Sequence, residues 1–235
     1  MAAGRPAPAP PDQAVQVFGA ALPAACAYAQ LLVGPAVERG LIGPAETDRI
    51  WDRHLLNSAV LAGLIPPRCR LVDLGSGAGL PGVVLAMILP EAEVTLLEPM
   101  ARRTAFLSEC VRELDLPNVS VTRGRAEDLA GRMMADVVVA RAVARLDRLA
   151  VLAAGLARPG GLVLALKGAA AAQELQAAGD VLARVAVGPA KIVSAGDAVL
   201  SEPATVVRFV TREAARRRAR PDAAGKRARR RPGQG

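Results

Sequence analysis

A chain of 235 residues, 52% hydrophobic but only 2% aromatic, is long enough for one sizeable domain whose core is built from Ala, Val and Leu. Three cysteines, Cys26, Cys69 and Cys110, stand far apart with no C-x-x-C pair, which argues against a zinc site or disulfide framework and suits a reducing cytoplasm. The formal net charge of +8 belongs wholly to the tail: residues 212–235 carry ten Lys+Arg and two acids, leaving 20 basic and 20 acidic side chains in the other 211 residues.

Residues 1–12 are Pro/Ala-rich and are expected to be disordered. Gln13 to Val37 holds no charged residue, and "VFGAALPAACAYA" has the look of a signal-peptide core. Only Arg5 precedes it, however, and Pro23, Pro35, Gln16 and Gln30 interrupt it as a membrane span. The expectation is a helix that covers the domain, with no membrane partner. Residues 13–67 read as a helical extension. It breaks at Gly43-Pro44, where Pro44 opens the next helix, and closes at Pro66-Pro67. In that second helix Ile50, Leu55, Ala59 and Leu61 share a face, while His54, the only histidine, is expected to fix helix packing rather than touch RNA.

Over residues 68–211 apolar runs alternate with helical patterns, the mark of an α/β domain with a mostly parallel sheet. Strands are expected at 70–75, 93–98, 119–124, 135–141 and 161–168, and helices near 81–89, 101–115 and 147–157. Two late strands, 184–188 and 205–210, are expected to form an antiparallel edge. From residue 212 the chain cannot bury a core and is expected to be a disordered basic tail.

The segment "LVDLGSGAGLPGVVLAM", residues 71–87, runs from strand through four glycines into helix. Gly77-Ala-Gly79-Leu-Pro-Gly82 matches the dinucleotide fingerprint, whereas Asp73-Leu-Gly75-Ser-Gly77-Ala-Gly79 matches the loop that cradles S-adenosylmethionine. Pro81 removes an N–H from the first helical turn, where a pyrophosphate would need donors, so the methyl donor fits better. Gly75, Gly77 and Gly79 leave room for the backbone to curl against a ligand. Asp73 either braces that loop or meets the ligand. Glu98, ending the second strand, is placed to hydrogen-bond a ribose, its alternative being a solvated strand-end acid. "RGRAEDL", residues 123–129, puts Ala126 and Glu127 after the third strand, where an adenine is read in methyltransferases.

Neither an N-P-P-Y-type motif nor a Pro-Cys nucleophile follows the fourth strand. Arg141 stands there instead, with Arg145 and Arg148 beyond it. Guanine N7 carries a free lone pair and loses no proton on attack, so such a reaction needs positioning rather than a base. Arg141 is assigned to hold a guanine edge or phosphate. Lys167, ending the fifth strand, contacts RNA phosphate or is a snorkelling lysine.

"VDLGSGAGLPGVVLA", "TLLEPMARRTAFL", "RGRAEDL", "ARAVARL" and "ALKG", with "ERGLIGPAETDRIWDRHLLNSAVL" upstream, resemble the RsmG (GidB) family in order and spacing over about residues 28–210. The resemblance implies a class I S-adenosylmethionine-dependent methyltransferase, Rossmann-like with a seven-stranded sheet, that methylates N7 of a guanine in the decoding-region loop of 16S rRNA. It places cofactor contacts on Gly75, Leu80, Ala126, Glu127 and Arg141, and puts Lys167 in the family's "LKG" motif. It implies a cytoplasmic monomer without a metal, acting on the small ribosomal subunit. Ala140, Val143 and Asn57 depart from the Ser, aromatic and Asp usual there. Two other readings share the sequence: a methyltransferase for a small molecule or protein, and a non-catalytic RNA-binding protein. The tail is expected to contact RNA phosphates.

Overall fold

The computed structural model describes residues 6–212. Seven strands form one sheet: β1 (Arg70–Leu74), β2 (Glu93–Glu98), β3 (Val119–Arg123), β4 (Ala135–Arg141), β5 (Ala157–Lys167), β6 (Lys191–Ala195) and β7 (Ala204–Val210). Their spatial order is β3-β2-β1-β4-β5-β7-β6, parallel from β3 to β5, with β7 antiparallel to both β5 and β6. The order reverses between β1 and β4, the switch point where open α/β sheets bind ligands beyond the carboxyl ends of their strands.

Alternate residues of β1, β2, β4, β5 and β7 feed two cores, as the two-residue period of a strand requires. Leu71, Leu96, Val137, Val139 and Val206 pack beneath the N-terminal helices, α5 (Gly82–Ile88) and α6 (Ala101–Glu113). Val72, Leu97, Val138, Val163 and Val207 pack on the other face, against α7 (Leu146–Leu156) and the short helices α8 (Ala171–Ala177) and α9 (Gly179–Val185). The small side chains of Ala135, Ala140, Ala150 and Ala153 let α7 lie close on the sheet, which offsets the shortage of aromatics.

The extension is a helical layer rather than one helix. It comprises α1 (Asp12–Phe18), α2 (Leu22–Val33), α3 (Pro35–Glu38), and a second run that passes through a 3₁₀ turn (Pro44–Arg49), a π-helical stretch (Ile50–Leu56), α4 (Asn57–Ala59) and a further 3₁₀ turn (Val60–Leu64). By length and hydropathy alone Asp12–Glu38 is apolar enough to span a membrane. Its apolar face is instead occupied by the domain: Ala25, Tyr28, Ala29 and Leu32 are fully buried. Burial of the Leu32 side chain contributes about 1.5–3 kcal/mol.

Two expectations are corrected. The segment before α1 is not disordered where it is described: Ala7 N–H donates to Gln30 Oε1 at 2.9 Å and Pro8 carbonyl accepts from Trp51 Nε1 at 2.8 Å. A proline-rich strand already restricted in φ loses little entropy on being laid across the helices. The edge strand also falls at 191–195, not at 184–188. Val185 ends α9, whose Leu182 is buried, and only Ala186 bridges to Thr211. An apolar run as short as "RVAV" fits a buried helix end as well as a strand.

Candidate active site

β1 ends at Leu74 and the chain turns through Gly75 (φ +72°), Gly77 (φ +59°) and Gly79 (φ +101°) before α5 begins. Left-handed backbone at three nearby positions favours glycine at each. At Gly75 there is a second reason: a Cβ would stand 2.9 Å from Val143 Cγ2. The loop is pinned from within. Gly79 and Leu80 N–H groups donate to Ser76 carbonyl at 2.7 and 3.2 Å, and Gly75 and Ser76 N–H groups to Leu97 carbonyl at 2.8 and 3.1 Å.

Asp73 and Glu98 are both buried, and both hold the loop. Asp73 Oδ2 accepts from Gly82 N–H at 3.0 Å, while its Oδ1 has no partner. Burial pushes the Asp73 carboxyl up to about 7, against the stabilising Gly82 N–H. Glu98 Oε2 accepts from Gly77 N–H at 3.1 Å and its Oε1 from Met100 N–H at 3.0 Å, with Arg103 Nη1 3.6 Å away. Glu98 is therefore not a solvated strand-end acid.

Two cavities open at the strand ends. The smaller, about 200 Å³, is walled by Leu74, Gly75, Leu97, Ala126, Glu127, Val143, Arg148 and Leu152, among others. Gly75, Ala126 and Glu127 thus meet at one site, as expected, with Glu127 Oε1 3.3 Å from Arg148 Nη2. The larger, about 920 Å³, is walled by Arg49, Arg53 and Asn57 of the helical layer, by residues 141–145 after β4, and by Lys167, Glu174 and the 202–205 segment. Val143 and Ala144 line both cavities and form the seam between them.

Four predicted residues sit differently from expectation. Leu80 packs its side chain in the hydrophobic core and lines neither cavity. Gly77 and Gly79 shape the loop without lining a cavity wall. Lys167 lines the larger cavity but its ammonium is engaged internally: Nζ donates to Ala144 carbonyl and to Glu174 Oε2, both at 2.8 Å, and its side chain is 9% exposed. Glu174 Oε2 also accepts from Leu146 N–H at 2.8 Å. Lys167 thereby ties down the segment between β4 and α7 rather than projecting toward RNA.

Arg141 lines the larger cavity, and its guanidinium is turned toward the helical layer. Its Nη2 donates to His54 Nδ1 at 3.0 Å, and Nη1 is buried without a partner. His54 Nε2 lies 3.0 Å from Glu46 Oε2, which also meets Arg53 Nε at 3.1 Å. His54, expected to fix helix packing, is 7% exposed. Its contact with Arg141 across 87 residues had no sequence signal. Nor did Tyr28, fully buried on α2, whose hydroxyl donates to Ala78 carbonyl in the glycine loop at 2.7 Å.

A family model described as "rRNA small subunit methyltransferase G" matches residues 22–199. The chain belongs to the GidB family. Its relatives include the ribosomal RNA small subunit methyltransferase G of Thermobifida fusca, 52% identical over 85% of this chain and 84% of that protein. The Streptomyces coelicolor protein of the same name is 49% identical over 86% of this chain and 84% of its own length. The fold is shared with more distant solved structures. An S-adenosylmethionine-dependent O-methyltransferase from Thermotoga maritima has a TM-score of 0.51 at 13% identity, covering 69% of this chain and 66% of that one. Pyrococcus horikoshii TYW2 in complex with MeSAdo has 0.53 at 14% identity, covering 68% and 63%. The architecture is that of the class I methyltransferases.

A GidB methyltransferase uses S-adenosylmethionine. The smaller cavity fits the nucleoside end of that group: Gly75 and Val143 form one wall, Leu74, Leu97 and Leu152 supply apolar surface for a purine, and Glu127 stands at the rim.

Proposed function

We propose that this protein transfers a methyl group from S-adenosylmethionine to N7 of a guanine in the decoding-region loop of 16S rRNA. The observation that carries the reading is Arg141: a buried guanidinium with one unpartnered nitrogen, on the wall of a cavity of about 920 Å³ that shares a seam with the smaller one. Methylation of rRNA is what the family does. The choice of N7 is supported by the chemistry of the larger cavity. Its wall presents Arg49, Arg53, Arg141 and Arg145, which with Lys167 outnumber its acids Asp52, Glu174 and Glu202, and Glu174 is already bound to Lys167 and Leu146 N–H. Attack by the N7 lone pair needs no proton removed, so orientation by donors suffices.

S-adenosylmethionine, when bound, supplies an electrophilic methyl group on a sulfonium centre. The chain's own part is to hold and to exclude. Gly75, Leu97, Ala126 and Glu127 receive the nucleoside side, with Glu98 and Asp73 stiffening the loop beneath. Arg141 orients the acceptor, and Arg49, Arg53 and Arg145 present charge to RNA phosphates at the cavity mouth. The protein acts in the cytoplasm as a monomer on the small subunit, its basic tail adding phosphate contacts.

The test is incubation with labelled S-adenosylmethionine and 30S subunits that lack the modification, followed by mapping of the labelled nucleotide. Label at N7 of one guanine is expected. Cofactor binding without RNA labelling would exclude this reading in favour of a small-molecule or protein substrate. RNA binding without cofactor binding would leave only a non-catalytic RNA-binding protein.

A further inference from the structure

A guanidinium has five N–H donors and no acceptor. The 3.0 Å contact from Arg141 Nη2 therefore requires a bare lone pair on His54 Nδ1. The ring proton of a neutral imidazole is then on Nε2, and that nitrogen donates to Glu46 Oε2 at 3.0 Å. Carboxylate, imidazole and guanidinium form a chain from the helical layer to the end of β4 in which each link sets the orientation of the next. His54 is 7% exposed and belongs to the π-helical stretch Ile50–Leu56, a distortion frequent at functional sites. Burial, with the Arg141 charge beside it, lowers the His54 pKa to about 4, so the ring keeps its acceptor at neutral pH. A side chain needed only for packing would not require a lone pair at that atom.

We propose that His54 is a positioning residue for methyl transfer: by accepting from Nη2 it fixes the rotation of the Arg141 guanidinium at the wall of the larger cavity, and so the way Arg141 meets an oxygen acceptor of the reacting pair. That acceptor is the carboxylate of the methyl donor or O6 of the guanine, and both are oxygens a guanidinium holds well. The inference rests on the role given to Arg141 in the proposed function.

Two variants separate the atoms of the ring. His54→Asn keeps an oxygen near the place of Nδ1. His54→Gln keeps an amide near the place of Nε2, within reach of Glu46, and loses the acceptor for Arg141. Steady-state kinetics on 30S subunits lacking the modification, and calorimetric binding of S-adenosylmethionine, provide the readouts. His54→Gln is expected to lower kcat/KM by roughly 10²-fold, the effect of a reacting group misplaced by about 1 Å. His54→Asn is expected to recover most of it. A weaker cofactor Kd with unchanged RNA KM assigns the acceptor to the carboxylate; an unchanged cofactor Kd with altered kcat or RNA KM assigns it to the guanine. Wild-type kinetics in His54→Gln, or equal losses in both variants, overturn the proposal. Should His54→Gln fail to fold, His54→Phe is measured instead. It keeps an aromatic ring in the buried space and removes the acceptor for Arg141, and wild-type kinetics there overturn the proposal too. Near-wild-type turnover in Arg141→Ala would remove the underlying reading of Arg141. An impaired Arg141→Ala beside a normal His54→Gln would remove only the inference about His54.

Discussion

Asp73 shows how one residue can serve a loop at a cost to the fold. Its carboxyl is fully buried, and burial pushes it up to about 7 against the opposing pull of Gly82 N–H and the Ser76 side chain. An acid whose folded pKa lies above its unfolded value of about 3.9 binds its proton more tightly in the folded state. The contribution of Asp73 to stability is then most favourable below about pH 4 and declines as the pH rises toward 7, where the folded carboxyl ionises. Asp73→Asn keeps an oxygen for Gly82 N–H and removes the charge. It is expected to gain stability over wild type by an amount that grows from pH 5 to pH 8, up to about 4 kcal/mol. Urea titration of the ligand-free protein at both pH values measures this, and an unchanged difference across that range contradicts it. Gly75 sets a second limit. Gly75→Ala must hold φ +72° and place a methyl 2.9 Å from Val143 Cγ2. About 1–3 kcal/mol of strain is expected there, read as a tenfold or greater loss of S-adenosylmethionine affinity in a chain that still folds. Glycines and acids at strand ends were legible in the sequence because their spacing is local. The partners of Arg141 and Lys167 were not, because His54 and Glu174 reach them from separate elements.

At the scale of elements, the segment between β4 and α7 is the part on which both cavities depend. Ala142 there holds φ +53°, unusual for a residue with a side chain, while Val143 presses on Gly75. Such a backbone is kept in place by its surroundings, here the paired bonds from Lys167 to Ala144 carbonyl and to Glu174. Lys167→Met keeps the stem's bulk and removes both bonds. The expected results are a stability loss of about 2 kcal/mol, faster hydrogen exchange over residues 142–146, and weaker cofactor binding. If Lys167 served RNA phosphate alone, exchange and cofactor affinity would stay at wild-type values while the RNA KM rose. The parallel strands were legible because fully buried β-strands read as continuous apolar runs. α8, α9 and β6 were not, because an alanine-rich stretch around short apolar runs suits helix and strand alike.

At the scale of the whole molecule, a neutral body is followed by a cationic tail. The helical layer does more than cover the sheet, since Tyr28 bonds the glycine loop and His54 meets Arg141 from it, and it closes the core that the glycine loop rests on. The site itself is built within residues 28–205, a region whose charges nearly cancel apart from the arginines at the cavity mouth. The tail expected to bind phosphates falls on residues 213–235, outside the described residues, so its role is argued from charge. Ten cations against two acids over residues 212–235 would displace counterions from RNA, and the salt dependence of binding scales with the number of phosphates neutralised. Removing residues 213–235 is expected to lower affinity for the 30S subunit most at low salt and to flatten the slope of log affinity against log salt. The turnover number at saturating subunit is expected to stay unchanged, because no tail residue belongs to the proposed site. An unaltered slope would assign RNA binding to the arginines of the larger cavity alone, and a lower turnover number would place the tail within the reaction.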